Sequence, residues 1–277
     1  MLANTLIVEY IYVVTVPYAI NTAKTQQVFV QSTSTAEEKQ LNELVIDDAT
    51  CDRYNYIIGN VFTYYNDLPS NLKRRFVQRV ANFRSQKRFH FIGMERREEY
   101  EVLVSASAVQ VTFGLKNYML SYFQDIYVLA DAYHMESDDE LYIGHVAPDG
   151  IYLSWKHFLY GYSNTYDNIN VAVHEMAHAL LHNNFFAQYN TDMHFSLNYE
   201  KFSSKTGRIF ADVITTRKSY LRSYAFTNVH EFWAVSVEAF FENPVDLRLN
   251  MPELYEAICR VLNQDPSTRA KIFKSEP

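Results

Sequence analysis

The run His174-Glu175-Met176-Ala177-His178 constrains the fold of this chain more than any other feature of its sequence. In an α-helix, residues four positions apart lie about 40° from each other around the axis and one turn apart along it. The two imidazoles can therefore bind one small metal ion, and Glu175 lies beside them, where it can take a proton from a water molecule on that ion. Apolar residues follow directly at 179–181. The pattern predicts a buried helix with its polar groups on one side.

A third metal ligand is expected from the segment Asn228–Glu242, which combines an apolar helical pattern with two candidate carboxylates. Glu231 and Glu238 are seven residues apart, so they share a helix face but lie about 10 Å apart along the axis, too far for one ion. A carboxylate among Phe, Trp, Val and Ala residues needs a partner, because burying an unpaired charge is costly. Asn228 can also cap this helix and use Glu231 as its capping-box partner. The spacing leaves Glu231 and Glu238 as equal alternatives.

Two further positions on the first helix are not expected to bind the metal. His182 lies one turn beyond His178 on the same face, and we interpret it as a surface or supporting histidine. Position 184 would carry a third histidine in the metzincin version of the motif. It is an asparagine, Asn184, so that version is absent.

The composition and the order of the predicted elements indicate an α+β fold. The 277 residues suffice for one large domain or two small ones, and 48% apolar against 21% charged residues is typical of a chain that buries a core. Helices are predicted after Pro69, with apolar positions from Leu72 to Phe83, and at Arg97–Val111, Asn170–Asn183, Asn228–Glu242 and Pro252–Asn263. Strands are predicted at Phe89–Ile92, Ile126–Ala130, Leu141–Val146 and Ile151–Trp155, with a hairpin at Asp149-Gly150. A few strands in mid-chain among many helices favour α+β.

The N-terminal region differs from the rest, which predicts an arm and linker at residues 1–50 and one domain at residues 51–277. Leu6–Ile20 is apolar but contains Glu9 and Pro17, and it is shorter than a membrane span requires. The first 23 residues contain no Lys or Arg, so a signal peptide would lack its charged start. We expect a strand or a partly buried arm, with a peripheral membrane contact as the alternative. Ala23–Glu43 is polar and typical of a linker.

Charge and cysteine content narrow the partners and the compartment. The net charge of −7 and the pI near 5.7 argue against direct nucleic-acid binding. Of the 25 basic residues, nine lie between Lys73 and Arg97, and an acidic run occupies Glu136–Glu140. We interpret them as a solvated helix face and a solvated loop, with a docking surface as the alternative. Cys51 and Cys259 match no zinc-finger or redox motif, which indicates a reducing compartment or indifference to redox, and the predicted location is the cytoplasm.

Several motifs resemble the MtfA (Mlc titration factor A) family of zinc-dependent peptidases and, more distantly, the catalytic domain of anthrax lethal factor. The resemblance covers roughly residues 55 to 270 and includes the helix after Pro69 and the run Lys87-Arg88-Phe89. The matching segments are His145–Trp155, His174–Leu180, Tyr224–Val235, Glu238–Pro244 and Asn263–Pro266. The family implies a zincin-like, helix-rich domain with a small mixed sheet beside the active-site helix.

The resemblance also assigns roles to individual residues. In the family the third zinc ligand is the glutamate that opens the Glu-aromatic-aromatic-Ala-Val run, which is Glu231 here. A tyrosine seven residues earlier lies over the metal, which implies Tyr224 as a hydrogen-bond donor to the oxyanion. Glu238 then becomes the residue that orients a ligand histidine. One position departs from the family, because Leu181 stands where an aspartate is usual.

Together these features predict a zinc metallopeptidase in which His174, His178 and Glu231 bind the metal and Glu175 is the general base. The family suggests aminopeptidase-like action on small peptides, and the strand Leu141–Val146 is expected to bind substrate at the sheet edge. The alternative is a regulatory protein that sequesters a transcriptional repressor, with residues 73–97 as its docking face. A purely structural zinc is the third hypothesis, and three protein ligands with an open position argue against it.

Overall fold

A computed structural model describes residues 44–135, 140–164, 166–186, 191–216 and 219–267. The predicted arm Leu6–Ile20, the polar segment Ala23–Glu43 and all but Glu140 of the acidic run lie outside these ranges. The helices are α1 (Asp48–Gly59), α2 (Thr63–Asn66), α3 (Ser70–Ser85), α4 (Glu98–Thr112), α5 (Trp155–Ser163), α6 (Val171–Phe186), α7 (Met193–Thr216), α8 (Val229–Glu242), α9 (Pro244–Asn250) and α10 (Pro252–Leu262), with a 3-10 turn at Ser223–Phe226. The strands are β1 (Arg88–Ile92), β2 (Asp125–Leu129), β3 (Tyr133–His134), β4 (Leu141–Tyr142), β5 (Gly144–Ala147) and β6 (Gly150–Ser154).

The main sheet has four strands in the order β1-β2-β6-β5. The strands β1, β2 and β6 run parallel, whereas β5 is antiparallel to β6 and forms one edge of the sheet. Val146 pairs with Ile151 and Ala147 with Gly150, so the chain reverses through Pro148 and Asp149 and the predicted hairpin is confirmed. Many helices around one small mixed sheet confirm the predicted α+β class.

The prediction was wrong about one strand and about the end of another. Leu141–Val146 was predicted as a single strand, but the chain changes partner at Ile143: β4 pairs with β3 in a separate sheet, and β5 pairs with β6. Trp155 was predicted to close a strand, but it begins α5. Ser154 accepts a hydrogen bond from the backbone N–H of His157, and this N-cap starts the helix.

The helix α6, which carries the metal-binding run, lies at the centre of the fold. It packs against β5 and β6 on one side and against α4 and α8 on the others. Its apolar residues are therefore buried around nearly the whole helix, as expected for a core helix. The indole of Trp233 in α8 donates a hydrogen bond of 3.0 Å to the carbonyl of Ala177. Aromatic rings of α7 pack in turn against Trp233, so that α8 is covered on its far side.

The nine basic residues of the segment Lys73 to Arg97 do not form one solvated face. Arg79 and Lys87 are buried, and their side chains donate to backbone carbonyls between residues 113 and 123. Several others are paired with carboxylates, namely Arg84, Arg88, Arg96 and Arg97. Part of this charge therefore supports the core and the sheet.

Two further predictions concern a membrane span and the state of the two cysteines. Among the described residues, none of the helices is both long enough and apolar enough to cross a membrane. Cys51 and Cys259 are both half-buried and form no disulfide. The predicted cytoplasmic location stays a prediction.

Candidate metal centre

Three side chains from two helices converge in the interior of the protein. His174 and His178 lie one turn apart on α6, and their Nε2 atoms are 3.1 Å from each other. Glu231, on the first turn of α8, places Oε2 at 3.1 Å from His174 Nε2 and Oε1 at 3.3 Å from His178 Nε2. All three residues are buried. Within the described ranges, this is the group of histidine, cysteine and acidic residues that could hold a metal ion.

The chemistry of these donor atoms fits a metal ion. Two imidazole nitrogens that face each other can share at most one proton, and a carboxylate has only acceptors. Neither oxygen of Glu231 has a hydrogen-bond partner among the described residues. An ion bound tetrahedrally at 2.0–2.1 Å to each donor needs donors about 3.4 Å apart. The observed separations of 3.1 to 3.3 Å are close to that value.

Glu231 reaches the histidines because of the way α8 begins. The side chain of Asn228 accepts hydrogen bonds from the backbone N–H groups of His230, at 2.9 Å, and Glu231, at 3.0 Å. The predicted N-cap is therefore present, but the Glu231 carboxylate faces the two histidines and makes no capping-box bond. Burial would raise the pKa of Glu231, but the adjacent imidazoles lower it far more, so the group is ionised.

Glu238, two turns further along α8, lies behind His174 and outside the converging group. Its Oε1 is 2.7 Å from His174 Nδ1, and its Oε2 accepts a hydrogen bond of 2.6 Å from the backbone N–H of Asn170. Arg222 donates to Oε1 at 2.6 Å. Burial would raise the pKa of Glu238, but the charges of Arg222 and His174 outweigh it and lower that pKa. An ionised Glu238 fixes the His174 ring so that Nε2 faces the other donors.

Glu175 lies beside the converging group and is fully buried. Neither of its carboxylate oxygens has a hydrogen-bond partner in the described part of the chain. Burial raises the pKa of Glu175 to about 8, with a further increase from Glu231 and Glu238 that His174 partly opposes. The edge strand β5 passes directly against this side chain at Gly144. A carboxyl group with a pKa near neutrality is suited to accept and release a proton.

Tyr224 lies in the 3-10 turn that precedes α8, and the centre of its ring is 6.1 Å from that of His174. His182 lies outside the converging group, with its ring 6.4 Å from that of Phe123. Leu181, where the family usually has aspartate, is buried in the core. Asn184 binds the backbone N–H of Asp192 through its side-chain carbonyl.

Sequence reasoning did not identify Arg222, Asn170 or Gly144 as parts of this site. The sequence indicates that a carboxylate buried in α8 needs a positively charged or hydrogen-bonding partner. Nothing in the local sequence pattern, however, identifies Arg222 as that partner among the 25 basic residues. Asn170 had a usable signal, because an asparagine before an apolar helical run is a favoured N-cap. Its side chain accepts a hydrogen bond of 3.1 Å from the backbone N–H of Val173.

This fold and this set of donors define a class of protein. The site combines two histidines of one buried helix with a glutamate of a second helix, next to the edge of a mixed sheet. Beside them lies a further glutamate that has no hydrogen-bond partner within the described ranges. This arrangement is that of a metallopeptidase.

Comparison with known proteins gives the family. Residues 34–262 match the family described as glucose-regulated metallo-peptidase M90, and the chain belongs to this family. The match confirms the resemblance to the MtfA family. The more distant resemblance to lethal factor stays a prediction. An uncharacterized protein of Synechocystis is 22% identical over 230 residues, which cover 76% of this chain and 83% of that protein.

Proposed function

We propose that this metallopeptidase is a zinc enzyme that hydrolyses peptide bonds with Glu175 as its general base. The observation that carries the proposal is the convergence of His174, His178 and Glu231 within 3.3 Å of one another, beside a buried carboxylate that has no partner among the described residues. Two nitrogen donors and one oxygen donor are the ligand set of many catalytic zinc sites, which keep a fourth position for water.

His174, His178 and Glu231 would hold the zinc, which when bound supplies Lewis acidity and lowers the pKa of a water molecule. Glu175 takes the proton of the attacking water and later gives it to the leaving amine. Tyr224 donates a hydrogen bond to the carbonyl oxygen as it gains negative charge. Glu238 holds His174 in the orientation that ligation needs.

The edge strand β5 supports a peptide as the substrate. It is the last strand of the four-stranded sheet, and its residue Gly144 lies against Glu175. A peptide that pairs with this edge as an additional strand would lie next to the catalytic carboxylate. The predicted aminopeptidase-like preference for peptide N-termini remains an expectation from the family.

Metal content and hydrolysis test the proposal together. We expect about one zinc per chain in the wild type and little in Glu231→Ala. Glu238→Ala should still load at high zinc, with an affinity lowered about 10- to 100-fold. Glu175→Gln should keep its zinc and lose about 10²- to 10⁴-fold in peptide hydrolysis. Equal zinc in Glu231→Ala and wild type, or full activity of zinc-loaded Glu175→Gln, would refute the assignment.

We do not extend the proposal to the alternative of a repressor-binding protein. Its predicted docking face, residues 73–97, is partly buried and partly paired with acidic residues. A regulatory partner stays a prediction, which charge reversal at the exposed Arg74 and a binding assay can check.

A further inference from the structure

One guanidinium group connects three separate parts of the site. Arg222 donates through one terminal nitrogen to Glu238 Oε1 at 2.6 Å and through the other to the backbone carbonyl of Asn168 at 3.1 Å. Its guanidinium carbon also lies 5.7 Å from the centre of the Tyr224 ring. The planar, forked arrangement of donors in arginine allows these contacts at the same time.

The contact with Glu238 bears on the histidine ligand. Glu238 is 1% exposed, and its Oε1 is shared by Arg222 and His174 Nδ1. Burying a carboxylate without a compensating partner is costly, so Glu238 would leave this position without Arg222, and His174 would lose the contact that orients it. Arg222 is 27% exposed and supplies that positive charge from the edge of the site.

The hydrogen bond from Arg222 to the Asn168 carbonyl affects the position of Tyr224. Asn168 has a left-handed backbone conformation, with φ of 58°, in the loop that leads into α6. The side chain of Asn243, at the end of α8, donates to Asn168 Oδ1 at 2.8 Å and so also holds this loop. Arg222 is two residues before Tyr224, so its bond to the Asn168 carbonyl fixes the backbone from which the phenol extends.

We propose that Arg222 is a positioning residue. It orients His174 through Glu238, and it holds Tyr224 in place through the backbone between residues 222 and 224. The inference rests on the proposed zinc peptidase function and deepens it. It has two separable parts: the positive charge supports the histidine ligand, and the forked geometry supports the tyrosine.

Two substitutions separate these parts. Arg222→Met removes both the positive charge and the forked arrangement of donors. We therefore expect the dissociation constant for zinc, measured by competition with a chelator, to rise about 10- to 100-fold. Arg222→Lys keeps the charge near Glu238, so the zinc dissociation constant should stay within about threefold of wild type. A lysine cannot reproduce the fixed fork, so kcat at saturating zinc should fall at least about tenfold while KM changes little. Arg222→Lys also gives a result if Arg222→Met fails to fold.

A double-mutant cycle tests the path through the tyrosine. If Arg222 acts on kcat by placing Tyr224, then Arg222→Lys should lower kcat in the wild type but have little further effect in a Tyr224→Phe background. Additive losses of kcat would refute this part of the inference.

Arg84 offers a matched control. Its guanidinium also pairs with a buried carboxylate, Glu101, at 2.8 Å, and with a tyrosine hydroxyl, Tyr54, at 2.7 Å, but in the α3–α4 region. Arg84→Met should lower the melting temperature and leave the zinc dissociation constant and kcat unchanged. Equal effects of Arg84→Met and Arg222→Met on zinc binding would reduce the role of Arg222 to general stability and overturn the inference. A wild type that binds zinc and hydrolyses peptides, with Arg222 variants that match it, would overturn the inference alone, whereas a wild type that does neither would overturn the proposed function as well.

Discussion

Gly144 allows the edge strand β5 to approach the helix that carries the site, and replacing it should displace that helix. A β-carbon added at position 144 would lie 2.7 Å from Glu175 Oε1 and 2.7 Å from Val171 Cγ2. Ordinary contacts between such atoms are about 3.5 Å or more, so the overlap is roughly 0.8 Å. Val171 and Glu175 are four residues apart on the same face of α6, and rotating one side chain cannot relieve both contacts.

The size of the effect follows from that overlap. We expect α6 and β5 to separate by about 0.5 to 1 Å in Gly144→Ala, and overpacking of this kind costs about 1–3 kcal/mol. For a domain of this size each kcal/mol lowers the melting temperature by roughly 2–4 °C. Glu175, the proposed general base, would move with its helix, and a shift of about 1 Å at a group that takes part in the reaction lowers the rate by up to about 100-fold. Gly144→Ala should therefore lose about 10- to 100-fold in kcat/KM and several degrees in melting temperature.

Gly207 provides the control for this experiment. It lies in α7, is exposed, and an added β-carbon there would have no atom within 4 Å. Gly207→Ala should stabilise the protein by about 0.5–1 kcal/mol, because alanine favours the helix, and should leave peptide hydrolysis unchanged. Thermal unfolding and steady-state kinetics of both variants decide the question. If Gly144→Ala keeps wild-type kcat/KM and melting temperature, the close approach of β5 and α6 is not needed for the site.

Three other substitutions test the surroundings of the site. Burial raises the pKa of Glu242 to about 8, with a further increase from neighbouring carboxylates. Because this pKa is higher in the folded than in the unfolded state, the stabilising contribution of Glu242 is complete below about pH 4 and is lost as the pH rises through about 8. Glu242→Gln should therefore remove up to about 4 kcal/mol of this decline in urea unfolding, and a pH profile of stability parallel to that of the wild type would contradict the prediction. Asn228→Ala removes the acceptor of two backbone N–H groups and should cost about 1 kcal/mol and weaken zinc binding through Glu231; unchanged unfolding midpoint and zinc affinity would argue against the cap. Trp233→Phe removes the hydrogen bond to the Ala177 carbonyl and leaves a cavity between α6 and α8, so it should lower the free energy of unfolding by about 2 kcal/mol or more. A loss well below that value in urea unfolding would show that this contact is unimportant.

The local part of the site could be predicted from the sequence, because it depends only on helix geometry. Two histidines four residues apart share one face of any α-helix, and α6 places their Nε2 atoms 3.1 Å apart. The N-cap at Asn228 is similarly local and was predicted from residue type and position.

The choice between Glu231 and Glu238 could not be made from spacing, because it depends on how two helices cross. Seven residues are almost two full turns, so both carboxylates lie on the face of α8 that meets α6. The position of α8 along α6 then decides which of them approaches Nε2 and which approaches Nδ1 of His174. The structure has Glu231 at 3.1 Å from Nε2 and Glu238 at 2.7 Å from Nδ1, the arrangement that the family resemblance had favoured.

Helix α7 was not predicted, and Leu141–Val146 was predicted as one strand instead of two. These two errors have different physical reasons. In α7, the aromatic residues Phe195, Tyr199 and Phe202 recur every three to four positions and pack on Trp233, so the sequence does carry a helical period there. The break at Ile143 has no such signal. It arises because β4 and β5 pair with different partners, which only the tertiary arrangement determines.

The charges of the buried residues explain why this interior suits a divalent cation. Glu175, Glu231 and Glu238 are all buried and come from only two helices. Arg222 compensates Glu238 directly at 2.6 Å, which leaves two carboxylates beside a pair of imidazoles. Burying uncompensated charge is costly, and neutral imidazole is the form of histidine that binds metals. Burial holds the pKa of Glu175 at about 8 in the absence of a nearby cation, so Glu231 carries the remaining negative charge. A divalent cation among His174, His178 and Glu231 would neutralise Glu231 and lower the pKa of Glu175 so that it could ionise beside the metal, whereas a monovalent ion would balance Glu231 alone.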